Sequence, residues 1–251
     1  MKTRHSSLLS SHADLTACFT TRHGGVSSFP YGSANLAFHV GDNPSDVLAN
    51  HALLARELGY NLSRLVHMRQ IHSDRAIAVD DATGFDTPPE CDALITNQPG
   101  IPLMVMSADC TPILLYDPAV RAIGAVHAGR AGALSAILPK TIEAMRLRYG
   151  SRAEDIHVSM GPSIGGCCYE INDSIADDVD ALGYGAALRR EEGKVFLDVN
   201  TILLMQLERE GIAQERIEVF GECTSCNSND YFSYRADRQL TGRIAGVVML
   251  R

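Results

Sequence analysis

A cysteine and a histidine bracket two apolar runs in SADCTPILLYDPAVRAIGAVHAG, residues 107–129, with Cys110 ahead of the first and His127 at the close of the second. A thiol and an imidazole brought together can hold one metal ion jointly, or act as nucleophile and base. The runs PILLY and RAIGAVH, joined through DPAV, have the form of a β-hairpin with its turn starting at Asp117-Pro118. If Tyr116 pairs with Arg121, Cys110 falls opposite His127, on one face and with Cβ atoms about 4.5–5.5 Å apart. A slip of one residue would send the two side chains to opposite faces.

Two ligands do not complete a catalytic zinc site, which takes three protein ligands and keeps a fourth position open. Among nine histidines, the candidates for the third ligand are His72 in RQIHSD, His39 in NLAFHVGDN and His67 in LVHMRQ. His72 is preferred because it precedes a strand, AIAVD, and so could stand at the same sheet edge. Asp109 is a candidate catalytic residue beside Cys110 and His127, as a partner that orients a ligand histidine or as a cap. Cys223-Thr-Ser-Cys226 is half a zinc knuckle or a redox pair, and the adjacent Cys167-Cys168 has the wrong spacing to supply the other half. A cytidine-deaminase zinc site is excluded, since no H-x-E occurs. No H-x-H occurs either, against a laccase with several coppers. One copper on two histidines and a thiolate would be an electron-transfer type of site, with Met104, Met106 or Met160 as axial ligand.

The elements around these residues read as α/β. VLANHALLARELG, after the turn DNPSD, has helical spacing closed by Gly59. Strands are predicted at 76–80, 92–96, 102–106, 112–116, 122–126, 156–160, 217–221 and 244–250. Residues 131–149 read as helical, with Pro139 either starting a second helix or kinking a single one, and a further helix is expected over 198–210. The irregular interleaving predicts one layered domain over 1–251 with a mixed sheet. A balance of 22 basic and 30 acidic residues gives a net charge of −8, against recruitment of nucleic acid or anionic membrane. No run reaches the roughly 20 apolar residues of a spanning helix, and a soluble, cytoplasmic protein with reduced thiols is expected.

TTRHGGVSSFPYGSANLAFHVGDN, RQIHSD, CDALIT, SADCTPILLYDP, GAVHAGRAG, GPSIGGCCYEI and FSYRADRQLTGR together resemble the YfiH-type family, historically named multicopper polyphenol oxidase or laccase-domain proteins. The resemblance implies a zinc site on His72, Cys110 and His127, and a fold related to cysteine hydrolases and toxin deamidases. It implies phosphorolysis of adenosine, inosine or methylthioadenosine, with adenosine deamination. Copper-dependent phenol oxidation and editing of peptidoglycan precursors, a cysteine-type amide chemistry, are the alternatives it carries. After HAG the chain departs from the family's tryptophan-arginine pair, placing Arg130 and Ala131 there instead. Phosphorolysis needs a purine nucleoside and phosphate as small-molecule partners, and cations for the anion. Arg22, beside Gly24-Gly25 and Ser27-Ser28, offers a guanidinium on a loop able to cradle phosphate. Arg69, Arg130 and His39 complete the candidate substrate-binding residues.

Overall fold

The computed structural model describes residues 1–251 and places two mixed sheets face to face, where the sequence predicted one. The larger has six strands in the order Ile217–Val219, His157–Met160, Thr111–Asp117, Ala122–Ala128, Ala93–Thr96 and Ala76–Ala78. The other has five: Thr3–His5, Leu15–Thr20, Ile244–Leu250, Leu103–Ser107 and Val66–His67. A small antiparallel sheet joins Glu170–Ile171, Lys194–Leu197 and Leu188–Glu191.

Alternation along each strand sorts the side chains into layers. Leu114 and Tyr116 face the core between the sheets, with Leu103, Val105, Val248 and Leu250 opposite them. Ile113 and Leu115 face the other way, onto the helices Ile137–Tyr149 and Val199–Arg209. Cys18, Met104, Ala245 and Val247 form the outer face of the five-stranded sheet, covered by Leu54 of the helix Pro44–Leu58. That helix begins where Asn43 accepts from the Ser45 amide, with Pro44 at its first position, and ends at Gly59 with φ of +74°.

The run after Gly129 divides into two helices, Arg130–Leu134 and Ile137–Tyr149, around Ala136 at φ +61°. Pro139 lies in the first turn of the second helix, where its missing N–H costs nothing. Sequence patterning did not resolve the strand Leu15–Thr20, the helix Asp173–Ala181 or the small sheet; the strand is buried at every position, so it lacks polar alternation.

Glu218, on an edge strand, fastens the chain's start to the sheet. Its carboxylate accepts from the Ser7 amide (2.8 Å), from the Ser159 hydroxyl (2.8 Å) and from the hydroxyls of Ser6 and Ser7. Burial alone would raise its pKa, but these donors hold it below the ordinary glutamate value. A depressed carboxylate contributes stability above its unfolded pKa of about 4.3 and loses it as the pH falls through the folded value. Glu218→Ala is therefore expected to cost about 1–3 kcal/mol at pH 7, with the difference from the parent shrinking below pH 4, as urea unfolding at several pH values would read.

Candidate active site

Strand direction collects the functional residues at one end of the six-stranded sheet. The strand 111–117 starts there, and its antiparallel neighbour 122–128 ends there, so Cys110 and His127 share that edge. The strands 93–96 and 76–78 both start there, bringing Asp92 and the His72 loop. The strands 157–160 and 217–219 are parallel and end there, so the loops after both emerge side by side.

The hairpin register differs from the predicted one by two residues. Pro112, not Cys110, lies opposite His127, and Asp117 pairs with Ala122. Asp117 causes the shift: its carboxylate accepts from the Ala119 amide (2.8 Å) and the Val120 amide (3.4 Å), organising the longer loop 118–121. A slip of two preserves the face, so Cys110 still approaches His127, now on the diagonal.

His72, Cys110 and His127 present ligand atoms that all lie within 4.8 Å of one another, with Cys110 Sγ and His72 Nε2 4.0 Å apart. Gly129 keeps this space open, since a Cβ there would stand 2.8 Å from Cys110 Sγ and 3.2 Å from His72 Cδ2. The buried Asp92 carboxylate organises the set. Its Oδ1 accepts from His127 Nδ1 (2.8 Å) and the His72 amide (3.1 Å), and its Oδ2 from the Ser73 amide (2.6 Å), the Ser73 hydroxyl (2.7 Å) and the Ile71 amide (3.2 Å). His72 has φ of +59°, a conformation that costs an L-residue about 1–2 kcal/mol and that the Asp92 acceptor offsets. With Nδ1 engaged, His127 turns Nε2 to the cysteine.

Charge follows geometry. Burial alone would push the Cys110 thiol up, but His127 and then His72 bring it down to about 6. Burial works against an imidazolium at His127, yet Cys110 and Asp92 hold it up to about 9. Burial would likewise raise Asp92, whereas His127 and Ser73 draw it down to about 2. The three side chains thus form an alternating chain of carboxylate, imidazolium and thiolate, in which a cation can replace the imidazolium proton. Two histidines and a thiolate at this spacing fit a tetrahedral zinc ion with one position open. They do not fit several coppers, because the only other cluster of ligand residues contains four cysteines and no histidine.

Two clefts flank Cys110. One, of about 530 Å³, is mostly apolar, with Ile164, Tyr169, Val199 and Tyr234 on its walls and Arg130 and Arg235 also lining it. The other holds His72, Cys110 and His127 with His39, Gln70 and Arg243. His39 therefore lines the same cleft as His72, Cys110 and His127, its pKa lowered by burial and by Arg243. Arg130 lines the apolar cleft and an outer one shared with Arg235, and forms no ion pair. The Gln70 side-chain amide is fixed on the Met106 backbone, donating to its carbonyl and accepting from its amide at 2.8 Å each.

Other expectations move. Asp109 does not orient a ligand histidine: it accepts from Thr224 Oγ1 (2.7 Å) and the Arg235 amide (2.7 Å), so it fixes the loops beside Cys110. Asp92, in CDALIT, holds the role that the sequence reading gave to Asp109. Arg69 pairs with Glu90 at 2.8 Å and lines an adjoining depression, reached past His39 and Met106, with His67, whose Nε2 lies 3.1 Å from the Phe85 carbonyl. Neither residue lines the clefts at Cys110. Arg22 is engaged elsewhere, donating to the carbonyls of Gly32 (3.2 Å) and Ser228 (2.5 Å), pairing with Asp237 at 3.6 Å and lying 4.7 Å over the Phe232 ring. Its loop is filled as well, since a Cβ on Gly25 would stand 2.2 Å from the Ser33 carbonyl. Arg22→Ala is expected to lose about 1–3 kcal/mol of stability in thermal or urea unfolding while leaving the phosphate concentration dependence of any activity unchanged.

Tyr169, Tyr234, Arg235 and Arg243 were not singled out as site residues by sequence reasoning. They lie in GCCYEI and FSYRADRQLTGR, segments with no clear helical or strand period, which entered the sequence analysis only as stretches that carry the family resemblance and without a role for their tyrosines and arginines.

The sequence model described as multi-copper polyphenol oxidoreductase laccase matches residues 16–251. A purine nucleoside phosphorylase of Corynebacterium glutamicum is 42% identical, over 92% of this chain and 93% of that one, and one of Streptomyces griseus is 39% identical over the same shares. The crystal structure of YlmD from Geobacillus stearothermophilus superposes with a TM-score of 0.92 at 30% identity, covering 100% of this chain and 97% of that one. That of the hypothetical protein YfiH from Bacillus licheniformis gives 0.91 at 34% identity, covering 95% and 94%. No helix is long and apolar enough to cross a membrane.

Proposed function

The chain belongs to the multi-copper polyphenol oxidoreductase laccase family, and we propose that it is a zinc-dependent purine nucleoside phosphorylase that takes adenosine, inosine or methylthioadenosine, with adenosine deamination as a second reaction. The observation that carries this reading is the junction of a three-ligand set with an apolar, tyrosine-walled cleft that also carries unpaired cationic character at Arg130. Zinc, held by His72, Cys110 and His127, would supply a Lewis acid at the junction of the two clefts.

The remaining work falls to the chain's own groups. Tyr169 and Tyr234 offer flat walls for a purine, and the apolar floor excludes water from it. Arg130, which lines the inner and outer clefts, offers a guanidinium fork for phosphate, with Arg235 beside it, held over the Tyr169 ring and on the Glu170 carbonyl. In the reaction a phosphate oxygen bonds to C1′ of the ribose, the C1′–N9 bond breaks, and its electron pair leaves with the purine, which then takes a proton. Arg243, in the cleft that contains His72, Cys110 and His127, would stabilise the departing purine anion.

Chromatography of adenosine incubated with the purified protein tests this reading. Adenine and ribose 1-phosphate that form only with phosphate support it, and inosine without phosphate reports the deamination. If no nucleoside reacts, the reading falls. Arg130→Ala is expected to raise the KM for phosphate about tenfold or more, the scale of one charge-assisted hydrogen bond, with adenosine saturation changed far less.

A second reading rests on one feature, the continuous line Asp92–His127–Cys110. We propose as the alternative a cysteine-type hydrolase of amides, peptidoglycan precursors included, in which Cys110 attacks and His127 serves as the base. Chelation separates the two: it abolishes phosphorolysis in the first and spares amide hydrolysis in the second.

A further inference from the structure

On sequence spacing, Cys167-Cys168 and Cys223-x-x-Cys226 do not make a site. The structure nevertheless brings all four together. Their sulfur atoms lie within 4.8 Å of one another, with Cys168 Sγ 3.4 Å and Cys167 Sγ 3.6 Å from Cys226 Sγ. All four cysteines are free. Two sulfurs bound to one tetrahedral zinc at about 2.3 Å stand about 3.8 Å apart, so the cluster already has nearly the dimensions of a four-thiolate zinc centre. We propose that Cys167, Cys168, Cys223 and Cys226 form a second, structural zinc site, independent of the reading of the first.

Topology explains how pairs so distant in sequence meet. The parallel strands 157–160 and 217–219 end at the same edge, and their following loops run together: Ser163 bridges Cys223, and the Thr224 amide donates to the Ser163 carbonyl at 3.0 Å. The Gly165 amide donates to Cys223 Sγ at 3.3 Å, the kind of backbone bond that stabilises a metal-bound thiolate.

Nothing apolar accounts for the gathering of these thiols. Cys167 and Cys226 are exposed, whereas cysteines kept for packing are usually buried. Four thiolates without histidine or carboxylate select a soft cation and close its coordination sphere, which marks a structural site rather than a catalytic one. Binding exchanges the thiol protons for four Zn–S bonds, with the protons released to solvent and no change of oxidation state. The benefit is local: Thr224 and Ile164, on the two joined loops, bond to Asp109 next to Cys110, so the second zinc would clamp the wall of the apolar cleft.

The test uses a His72→Ala/Cys110→Ala variant, in which the first site is removed and the four cysteines remain. After supply of zinc and dialysis, it should retain one zinc per chain by elemental mass spectrometry, against two in the parent. Cobalt(II) in place of zinc should give the intense sulfur-to-cobalt charge transfer and visible bands of a tetrahedral thiolate centre, and adding Cys226→Ser should weaken or abolish them. If that triple variant fails to fold, the spectrum of the double variant decides alone. A double variant that holds no zinc, holds stoichiometric copper instead, or has a mass showing disulfides among these cysteines overturns the proposal, whatever the nucleoside assay gives.

Discussion

Cys110→Ala is expected to lower kcat/KM for phosphate-dependent release of purine by about a hundred- to thousandfold, and His72→Ala to do the same. The pairing of the two variants carries the weight. In the zinc reading both residues are ligands, so loss of either leaves an incomplete set and the penalties match. In the nucleophile reading Cys110 is indispensable, whereas His72 touches only its thiol and stands outside the Asp92–His127 pair, so His72→Ala would cost far less than Cys110→Ala. Nucleoside and amide assays on both variants, with the bound metal counted in each, therefore separate the two chemistries. Equal collapse with loss of one metal supports the zinc enzyme, and an active His72→Ala protein would sink it. Gly129 sharpens the choice, because the space it leaves between Cys110 and His72 has no use in a mechanism that needs only the cysteine and His127.

How much of this was legible in the sequence depended on whether a signal was local. The strand 244–250 was read with its observed limits because seven successive apolar or small residues allow little else. The hairpin was legible, and its register was not, because a single carboxylate, Asp117, lengthened the loop by capping two amides. The approach of Cys110 to His127 survived that error since side chains repeat every second residue along a strand. Arg22 misled for a related reason: an arginine beside glycines and serines has the composition of an anion loop, and only the fold shows its donors already engaged with Gly32, Ser228 and Asp237. The four cysteines were the least legible feature. Their pairs are separated by more than fifty residues, and what joins them is the parallel pairing of two short strands, which leaves no mark on cysteine spacing.

The same separation between ligands and their supports makes Asp92→Asn the most instructive single substitution. It is nearly isosteric, yet it is expected to lower zinc affinity at the first site and kcat/KM by about 10–100-fold, the range for groups that orient metal ligands. The Asp92 carboxylate accepts five hydrogen bonds and donates none. An asparagine has one oxygen and one NH₂, so either orientation sets two donors against each other. With NH₂ toward His127, the imidazole must accept at Nδ1, its proton moves to Nε2, and the nitrogen facing Cys110 is lost as a ligand. With NH₂ toward Ser73, the amides of Ile71 and Ser73 lose their acceptor, and the loop that holds His72 at positive φ is released. The first orientation damages His127 and also takes the acceptor from the His72 amide, and the second releases the His72 loop, so zinc binding weakens by either route. Competition with a chromophoric chelator gives the affinity, and a variant that bound zinc as tightly as the parent would remove Asp92 from this role.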